Sequence, residues 1–260
     1  MPSRAEARRW RALKRRKGRT EHGLFLAEGP RLLEELLRSP PAVRQVLHTP
    51  EAAEEPSVAG LLSRARAAGI PCEAVPEGEL AEFADTVTPQ GVLAVAEIPS
   101  RGREDVPAGD LLVLDAVQDP GNAGTLLRTA EAMGVGSAVS LKGTVDLWNP
   151  KVVRASAGSV FRLPTVAATW DDLRVRLRAE DVALWAADAA GEPVGRGEDL
   201  PARIALVLGN EGAGVRPEIL DAADRRVAVE LAGPVESLNV SVAAAILMDR
   251  IFSGRRAGRG

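Results

Sequence analysis

The sequence predicts an α/β fold in two parts, with a parallel sheet in the second part. Apolar runs rich in Val, Leu and Ile alternate with helix-like segments beyond residue 110, which is typical of a parallel sheet covered on both faces. Shorter strand and helix patterns alternate in the first hundred residues. Between them, residues 99–109 hold two Pro and two Gly among charged residues. We therefore predict a smaller α/β domain over residues 1–98, a linker over 99–109 and a second domain over 110–260.

The predicted elements of the first domain alternate regularly. Pro30 is placed to begin a helix, and Gly69 is placed to end the next one. The predicted strands are 24–27, 43–47, 72–75 and 91–98, and the predicted helices are 30–37 and 57–68.

The second domain alternates more clearly. The predicted strands are 111–117, 137–141, 182–187, 204–208 and 226–231, and the predicted helices are 123–133, 150–157, 170–179, 217–222 and 240–252. The last helix is apolar nearly all round. A helix of that kind is buried, either in the core or across a dimer interface.

Composition excludes several classes of site and of protein. A single cysteine, Cys72, excludes a disulfide framework and a cysteine-rich zinc site, and it favours a reducing cytoplasm. The two histidines, His22 and His48, lie far from the polar loops described below, so neither a histidine metal site nor a Ser-His triad is supported. The longest apolar run, 242–248, is too short to cross a bilayer. We predict a cytoplasmic protein without a metal and without a membrane partner.

Charge is distributed unevenly along the chain. The net charge is -3, yet residues 1–20 carry nine Lys or Arg against one Glu, and Arg255, Arg256 and Arg259 follow at the other end. Basic ends on an acidic body indicate arms that bind a phosphate backbone, and a solvated, partly disordered tail is the alternative. The predicted RNA contacts of the first arm are Arg15, Arg16, Lys17 and Arg19.

Asparagine marks the polar loops of the second domain. The chain contains four asparagines, Asn122, Asn149, Asn210 and Asn239. Three of them lie beside small residues at strand ends or helix starts, where parallel sheets bind ligands. An amide donates and accepts hydrogen bonds without bringing charge. Turns and helix caps are the structural alternative.

The usual nucleotide motifs are absent from the sequence. It contains no G-x-x-x-x-G-K-[ST], and no G-x-G-x-x-G follows a strand. A P-loop enzyme and a Rossmann dehydrogenase or methyltransferase are therefore disfavoured. Glycine-rich loops without a phosphate-binding lysine fit a ligand recognised through adenine edges and a ribose.

Three segments in order resemble the motifs of the SpoU (TrmH) branch of the SPOUT RNA methyltransferases. They are DPGNAGTLLR at 119–128, LVLGNEGAG at 206–214 and SLNVSVA at 237–243. The first domain, with GRTEHG at 18–23 and FLAEG at 25–29, resembles the ribosomal-protein-like substrate-binding domain often fused to this branch.

The resemblance implies S-adenosylmethionine as methyl donor, the 2′-hydroxyl of an RNA ribose as acceptor, a deep C-terminal trefoil knot and a homodimer formed through the C-terminal domain. It implies that the backbone of Gly209, Val229 and Leu238 holds the cofactor. It also implies five positions for catalysis and substrate placement, namely Asn122, Arg128, Glu211, Ser237 and Asn239.

The sequence offers more than one candidate for the proton acceptor. The family is commonly described as using the arginine at position 128 as a general base, but a guanidinium with a pKa above ~12 accepts protons poorly. Arg128 could instead clamp a phosphate and stabilise negative charge on the 2′-oxygen, and Glu211 or a phosphate oxygen would then take the proton. Ser237 could also be a helix N-cap.

A further RNA contact is expected at helix 150–157. The family often carries a similar stretch facing RNA, with Lys151, Arg154 and Ser156 on one side. Asn149 with Pro150 is equally a good helix start. Trp148 could stack on a base, although packing in the core is the stronger expectation.

The target RNA is expected to be large-subunit rRNA, with tRNA as the second candidate, and a role in antibiotic resistance stays open. Two other classes compete with an enzyme of this kind. One is a non-catalytic RNA-binding assembly factor with the same fold, which the intact motif residues argue against. The other is an unrelated nucleotide-binding enzyme, which the missing phosphate motifs argue against.

Overall fold

The computed structural model describes residues 2–39, 41–100, 109–195, 197–235 and 237–253. The chain divides into two compact units, Met1–Ser100 with Asp146–Arg162, and Arg101–Val145 with Leu163–Gly260. Most of the predicted linker, residues 101–108, and the basic C-terminal residues Arg255, Arg256 and Arg259 lie outside the described residues.

The first unit is built on a four-stranded mixed sheet. Its elements are α1 (Arg4–Leu13), α2 (Arg16–His22), β1 (Leu24–Glu28), α3 (Pro30–Leu36), β2 (Val43–His48), α4 (Pro50–Glu54), α5 (Pro56–Ala67), β3 (Cys72–Ala74), α6 (Glu77–Phe83), β4 (Val92–Glu97), α8 (Pro150–Ala155) and α9 (Ser159–Arg162). The strand order is β1-β4-β2-β3. β4 is antiparallel to both of its neighbours, whereas β2 and β3 are parallel.

The basic N-terminal segment is folded, which corrects the expectation of an arm or a disordered tail. Helix α1 begins with a capping box in which Ser3 and Glu6 bond each other's backbone N–H. Its buried face, Ala7, Trp10 and Leu13, packs into the core of the first unit. Trp10 meets Phe83 edge to face at 5.6 Å. This helix was not predicted from the sequence. The spacing of Ala7, Trp10 and Leu13, three residues apart, is typical of a helix, but the interpretation of this segment rested on its charge.

Residues 146–162 belong to the first unit although they lie between two strands of the second unit in the chain. Trp148 packs against Phe25 at 4.7 Å between ring centroids, and Phe161 packs against the same ring at 5.6 Å. Trp148 is partly buried, and its ring packs on the buried Phe25 at the margin of the core. A domain boundary predicted at one place in the sequence cannot show that an inner segment packs with the other domain. The division into domains stays a prediction.

The second unit is an α/β layer structure on a six-stranded parallel sheet. Its elements are β5 (Leu111–Leu114), α7 (Pro120–Met133), β6 (Ser137–Ser140), β7 (Thr165–Ala167), α10 (Trp170–Ala179), β8 (Ala183–Pro193), β9 (Ile204–Leu208), α11 (Pro217–Leu220), β10 (Arg225–Ala228) and α12 (Val240–Phe252). The strand order is β10-β8-β9-β5-β6-β7. The short β7 was not predicted, because Val166 is the one buried residue among its three and the segment shows no apolar run.

The core of the second unit explains the continuous apolar strands. Leu111 and Val113 of β5 join the cluster that α10 and α11 cover. Leu112 and Leu114 alternate to the other face and are fully buried there. The parallel α/β architecture is therefore confirmed. The trefoil knot concerns the threading of the chain and stays a prediction.

Candidate active site

Three loops of the second unit meet at one edge of its sheet. Strands β5 and β9 are parallel neighbours, with Leu114 paired to Leu208 at their carboxyl ends. The loops that follow these strands therefore leave the sheet side by side, as expected for a ligand site in this architecture. The third loop precedes α12, and α12 packs against α7, the helix that follows the first loop.

Glu211 ties the second loop to the first. Its carboxylate accepts hydrogen bonds from Asn122 Nδ2 at 3.1 Å, from the backbone N–H of Asp119 at 3.0 Å and from that of Gln118 at 3.2 Å. Asp119 caps α7 by accepting from the Asn122 N–H at 2.7 Å. Because Asp119 serves as the cap, the Asn122 side chain is available for other contacts.

Asn122 also connects to the third loop. Its Oδ1 accepts from Asn239 Nδ2 at 3.2 Å and from Ser241 Oγ at 3.4 Å. Asn239 is the N-cap of α12 and accepts from the Ser241 N–H. Ser237 is therefore not the cap, which corrects that expectation. The structure thus joins Asn122, Glu211 and Asn239 in one hydrogen-bond network, and it adds Ser241, which the sequence reasoning missed.

Hydrogen bonding sets the charge state of Glu211. Burial raises the pKa of this carboxyl, but hydrogen bonds from the Asn122 side chain and from the backbone N–H groups of Asp119, Glu211 and Gln118 outweigh it and hold the pKa below the ordinary value. A carboxylate with a lowered pKa stays ionised at neutral pH and accepts a proton less readily.

The loop after β9 has a fixed backbone shape. Asn210 Oδ1 accepts from the N–H groups of Gly212 and Ala213, and its Nδ2 donates to the carbonyl of Ala116 at 3.0 Å. Ala116 has a positive φ of 57°, an uncommon conformation for a residue with a side chain. A Cβ added to Gly209 would lie 2.1 Å from the carbonyl carbon of Gly214, so only glycine permits this turn.

An ion pair that was not predicted from the sequence stabilises both loops. Asp115 directly follows β5 and is completely buried. Its carboxylate accepts from Arg216 Nε at 2.7 Å and from the Arg216 backbone N–H at 2.9 Å. The pair links the segment after β5 to the segment that leads into α11.

A cavity of about 380 Å³ opens beside this network. It is lined by all three residues expected to hold the cofactor, Gly209, Val229 and Leu238, and by Ser237. Ala187, Asp188, Ala189, Gly191 and Pro193 of β8 also line it, and the sequence did not single them out. Three acidic residues line it, Asp188, Glu211 and Glu230, and its described lining residues include no Lys, Arg or His.

The cavity fits S-adenosylmethionine in its chemistry. Its walls combine glycine backbone at Gly191, Gly209 and Gly214 with apolar side chains such as Leu238 and Leu247, which suits an adenosine. Its carboxylates suit a ligand with an ammonium and a sulfonium. We therefore take Gly209, Val229 and Leu238 as the residues that would hold the cofactor.

Arg128 lies apart from the cavity wall. It is exposed on α7, on the same side of the helix as Gly121 and Thr125. Within the described part of the chain it makes no hydrogen bond or ion pair. Its guanidinium is therefore available to a substrate.

The residues expected to contact RNA divide into two groups. Arg15, Arg16, Lys17, Lys151 and Arg154 are exposed, and Arg154 is also paired with Asp85 at 3.2 Å. They all belong to the first unit.

Arg19 and Ser156 do not fit the expectation of RNA contacts. The Arg19 side chain is 3% exposed and pairs with Asp146 at 2.5 Å, while its Nη1 donates to the Leu13 carbonyl. Ser156 is fully buried and donates to the Val153 carbonyl at 2.9 Å. Neither can contact phosphate without breaking these bonds. Asn149 caps α8 by accepting from the Lys151 N–H, so its structural interpretation is confirmed.

Among the described residues there is no group of three or more His, Cys, Asp or Glu placed to hold a metal ion. In the same ranges no helix combines the length and apolar character that crossing a bilayer requires.

Known proteins with similar sequences and structures match both parts of the chain. Residues 110–249 match the SpoU rRNA methylase family, and residues 5–94 match the MRM3-like substrate binding domain. The chain is 38% identical to the 23S rRNA (guanosine(2553)-2′-O)-methyltransferase RlmP of Bacillus subtilis over 92% of both chains.

Two solved structures are similar over nearly their whole length. The SpoU methyltransferase AviRb from Streptomyces viridochromogenes, in complex with the cofactor AdoMet, superimposes with a TM-score of 0.88 and 27% identity, covering 99% of this chain and 100% of that one. The AdoMet-bound rRNA methyltransferase from Sinorhizobium meliloti gives a TM-score of 0.83 and 28% identity, covering 100% and 98%. The chain therefore belongs to the SpoU rRNA methylase family and is an S-adenosylmethionine-dependent RNA methyltransferase.

Proposed function

We propose that this protein methylates the 2′-hydroxyl of a ribose in large-subunit rRNA. The observation that carries the proposal is the hydrogen-bond network in which Glu211 and Asn239 both bond Asn122, beside the cavity of the second unit. The curated relative from Bacillus subtilis, named as a 23S rRNA 2′-O-methyltransferase, supports both the reaction and the class of RNA.

Positioning supplies most of the catalysis. When bound, S-adenosylmethionine supplies a methyl group on a positively charged sulfur, which is a good leaving group. The chain must then hold a ribose hydroxyl in line with that methyl group, and such alignment contributes roughly 7–11 kcal/mol in favourable cases. Gly209, Val229 and Leu238 bind the cofactor. The side-chain amides of Asn122 and Asn239 lie at the edge of the cavity.

Arg128 stabilises the charge that develops on the acceptor. Its exposed guanidinium clamps a substrate phosphate and faces the 2′-oxygen as that atom loses its proton. Three hydrogen bonds from the first loop occupy the Glu211 carboxylate, and its lowered pKa keeps it ionised. Glu211 therefore holds Asn122 and the loop before it in place, and the hydroxyl proton is released to solvent as the new C–O bond forms.

The first unit binds the RNA. Arg15, Arg16 and Lys17 form an exposed basic set, and Lys151 with Arg154 adds two further cations of the same unit. Exposed Lys and Arg bind a phosphate backbone with a strong dependence on salt. An rRNA substrate and the single cysteine support a cytoplasmic location.

The second unit forms a homodimer. Helix α12 buries Leu247, Met248 and Ile251, yet Val242 on the same helix is 49% exposed and Ile246 is half-buried. An apolar side left partly uncovered on a well-formed helix fits a second copy of the chain. Light scattering is expected to report a dimer, and Val242→Glu is expected to shift it towards a monomer.

Labelled-methyl transfer tests the reaction and the RNA class together. Purified protein is incubated with labelled S-adenosylmethionine and with either unmethylated large-subunit rRNA or bulk tRNA. We expect label in the rRNA, recovered after digestion as a 2′-O-methylated nucleoside. Label recovered on a base would contradict the acceptor, and label in tRNA alone would favour a tRNA enzyme. Cofactor binding without transfer to either RNA would favour a non-catalytic assembly factor.

A further inference from the structure

Strand β8 makes an excursion at the cavity. It pairs with β10 through Trp185 and Ala186, and the pairing resumes only at Glu192. Their partners on β10 run without a gap, since Arg226 bonds on one side of the break and Val227 on the other. Five residues, 187–191, therefore leave the ladder. Bulges of this kind commonly aim side chains at functional sites.

The excursion packs closely against the backbone of β10 where it ends. A Cβ added to Gly191 would lie 2.7 Å from the Arg226 carbonyl carbon and the Val227 nitrogen, so the strands re-pair only around a glycine. Four of the five excursion residues line the cavity, namely Ala187, Asp188, Ala189 and Gly191. The bulge thus builds a cavity wall, and Asp188 is its one charged residue.

The carboxylate of Asp188 is only weakly paired with a cation of the protein. One carboxylate oxygen accepts from the Ala190 N–H at 3.0 Å. The other lies 3.9 Å from Arg226 Nη1, at the far limit of an ion pair, while Arg226 makes a shorter pair with Asp221 at 3.0 Å. Glu230 adds a second carboxylate to the wall, and the described lining residues contribute no cation against them.

Methyl transfer changes the net charge of the ligand in the cavity. The methyl carbon leaves sulfur for the 2′-oxygen, the C–S bonding pair stays on sulfur, and the hydroxyl proton is released to solvent. The sulfonium thereby becomes an uncharged thioether. At neutral pH the donor carries one net positive charge, whereas the product S-adenosylhomocysteine carries none.

We propose that Asp188, together with Glu230, makes this cavity selective for the positively charged donor over the neutral product. The inference rests on the S-adenosylmethionine dependence of the family and extends it to residues outside the three sequence motifs. The carboxylates attract the donor before transfer and lose that attraction when the sulfonium is discharged, which favours release of the product.

The test compares the binding of donor and product by calorimetry. Dissociation constants for S-adenosylmethionine and S-adenosylhomocysteine are measured on the full chain, as wild type and as Asp188→Asn, at low salt. We expect the substitution to weaken the donor about threefold to tenfold more than the product, as Coulomb's law gives for two unit charges about 4 Å apart at the dielectric of bulk water. High salt is expected to reduce the wild-type preference in the same direction.

Glu192→Gln is the matched control. Glu192 lies on the same strand just beyond the excursion, does not line the cavity and is 80% exposed. Its substitution removes one negative charge at a similar place in the chain and is expected to leave the donor-to-product ratio unchanged. An equal change in this control would assign the effect to net charge and overturn the proposal.

Two further outcomes would also overturn it. If Asp188→Asn weakened donor and product equally, the carboxylate would be a contact to a part they share, such as the ribose. If neither affinity changed, Asp188 would be irrelevant to the ligand. Should thermal unfolding show that Asp188→Asn does not fold, Glu230→Gln takes its place, with the same shift expected and an unchanged ratio contradicting the proposal. Wild-type protein that bound neither ligand would refute the cofactor itself, which is a distinct result.

Discussion

Two regions expected to be functional from the sequence differ in how the structure arranges them. At the carboxyl edge of the parallel sheet, Asn122, Glu211 and Asn239 come together in one network. In the basic N-terminal segment and helix α8, the expected RNA contacts divide, because Arg19 and Ser156 are buried and bonded within the first unit. Motif spacing therefore predicted which side chains lie together better than charge did.

The physical reason lies in what each pattern specifies. Loops that follow neighbouring parallel strands must leave the sheet at the same edge, so residues in them meet whatever their separation along the chain. A run of basic residues on a helix specifies no single side, since helical periodicity turns every third or fourth residue towards the core. Lys17 and Arg19, two residues and so about half a turn apart on α2, illustrate this, because Lys17 is exposed and Arg19 is buried.

The largest expected effect separates Arg19 from its basic neighbours. Arg19→Ala leaves Asp146 without its partner and is expected to lower the free energy of unfolding by about 3–5 kcal/mol. Arg16→Ala, at an exposed position in the same helix, is expected to change it by less than about 0.5 kcal/mol. Chemical denaturation measures both. Similar values for the two variants would show that Arg19 is a surface residue.

Next in size is the effect of removing Arg128. Arg128→Ala is expected to reduce methyl transfer about 100-fold to 1000-fold, because it removes a donor that stabilises developing negative charge. Affinity for S-adenosylmethionine should be nearly unchanged, since Arg128 does not line the cavity. Transfer at the wild-type rate would exclude this residue from the reaction.

A smaller effect is expected from the exposed basic set of the first unit. Replacing Arg15, Arg16 and Lys17 together by Ala is expected to weaken RNA binding and to flatten its dependence on salt, by roughly 0.7–0.9 in the logarithmic slope for each phosphate that the protein no longer neutralises. Deleting residues 1–20 is unsuitable, because that deletion also removes Trp10 and Leu13 from the core. Unchanged RNA affinity at every salt concentration would make this set irrelevant to binding.

The smallest effect concerns pH and Glu211. A carboxyl whose pKa is lower in the folded protein adds stability that is present above its unfolded pKa and is lost as the pH falls through the folded pKa. The wild type is therefore expected to be more stable than Glu211→Gln at neutral pH, and the difference should shrink as the pH falls below about 4.5. Thermal unfolding across pH 3–7 measures this. A difference that grew towards acid would contradict the lowered pKa.

The sequence predicted the α/β class, most strand positions and the three converging loops. It did not predict Asp188, because the excursion of β8 shows itself only in the pairing with β10. It also missed the Asp115–Arg216 pair, whose members are distant in the chain and carry no recognisable motif. The place of residues 146–162 in the first unit depends on the packing of Trp148 and Phe161 against Phe25, which no local pattern encodes.

Two asparagines at helix starts provide the most direct test of the central claim that the motif loops form the methyl-transfer site. Asp119 caps the helix of Asn122 and leaves its amide to bond Glu211 and Asn239, whereas Asn149 caps its own helix. In a labelled-methyl assay, Asn122→Ala is expected to reduce transfer roughly 10-fold to 100-fold. Asn149→Ala is expected to keep wild-type transfer while losing about 1 kcal/mol of stability. Equal transfer rates for the two variants would contradict the account.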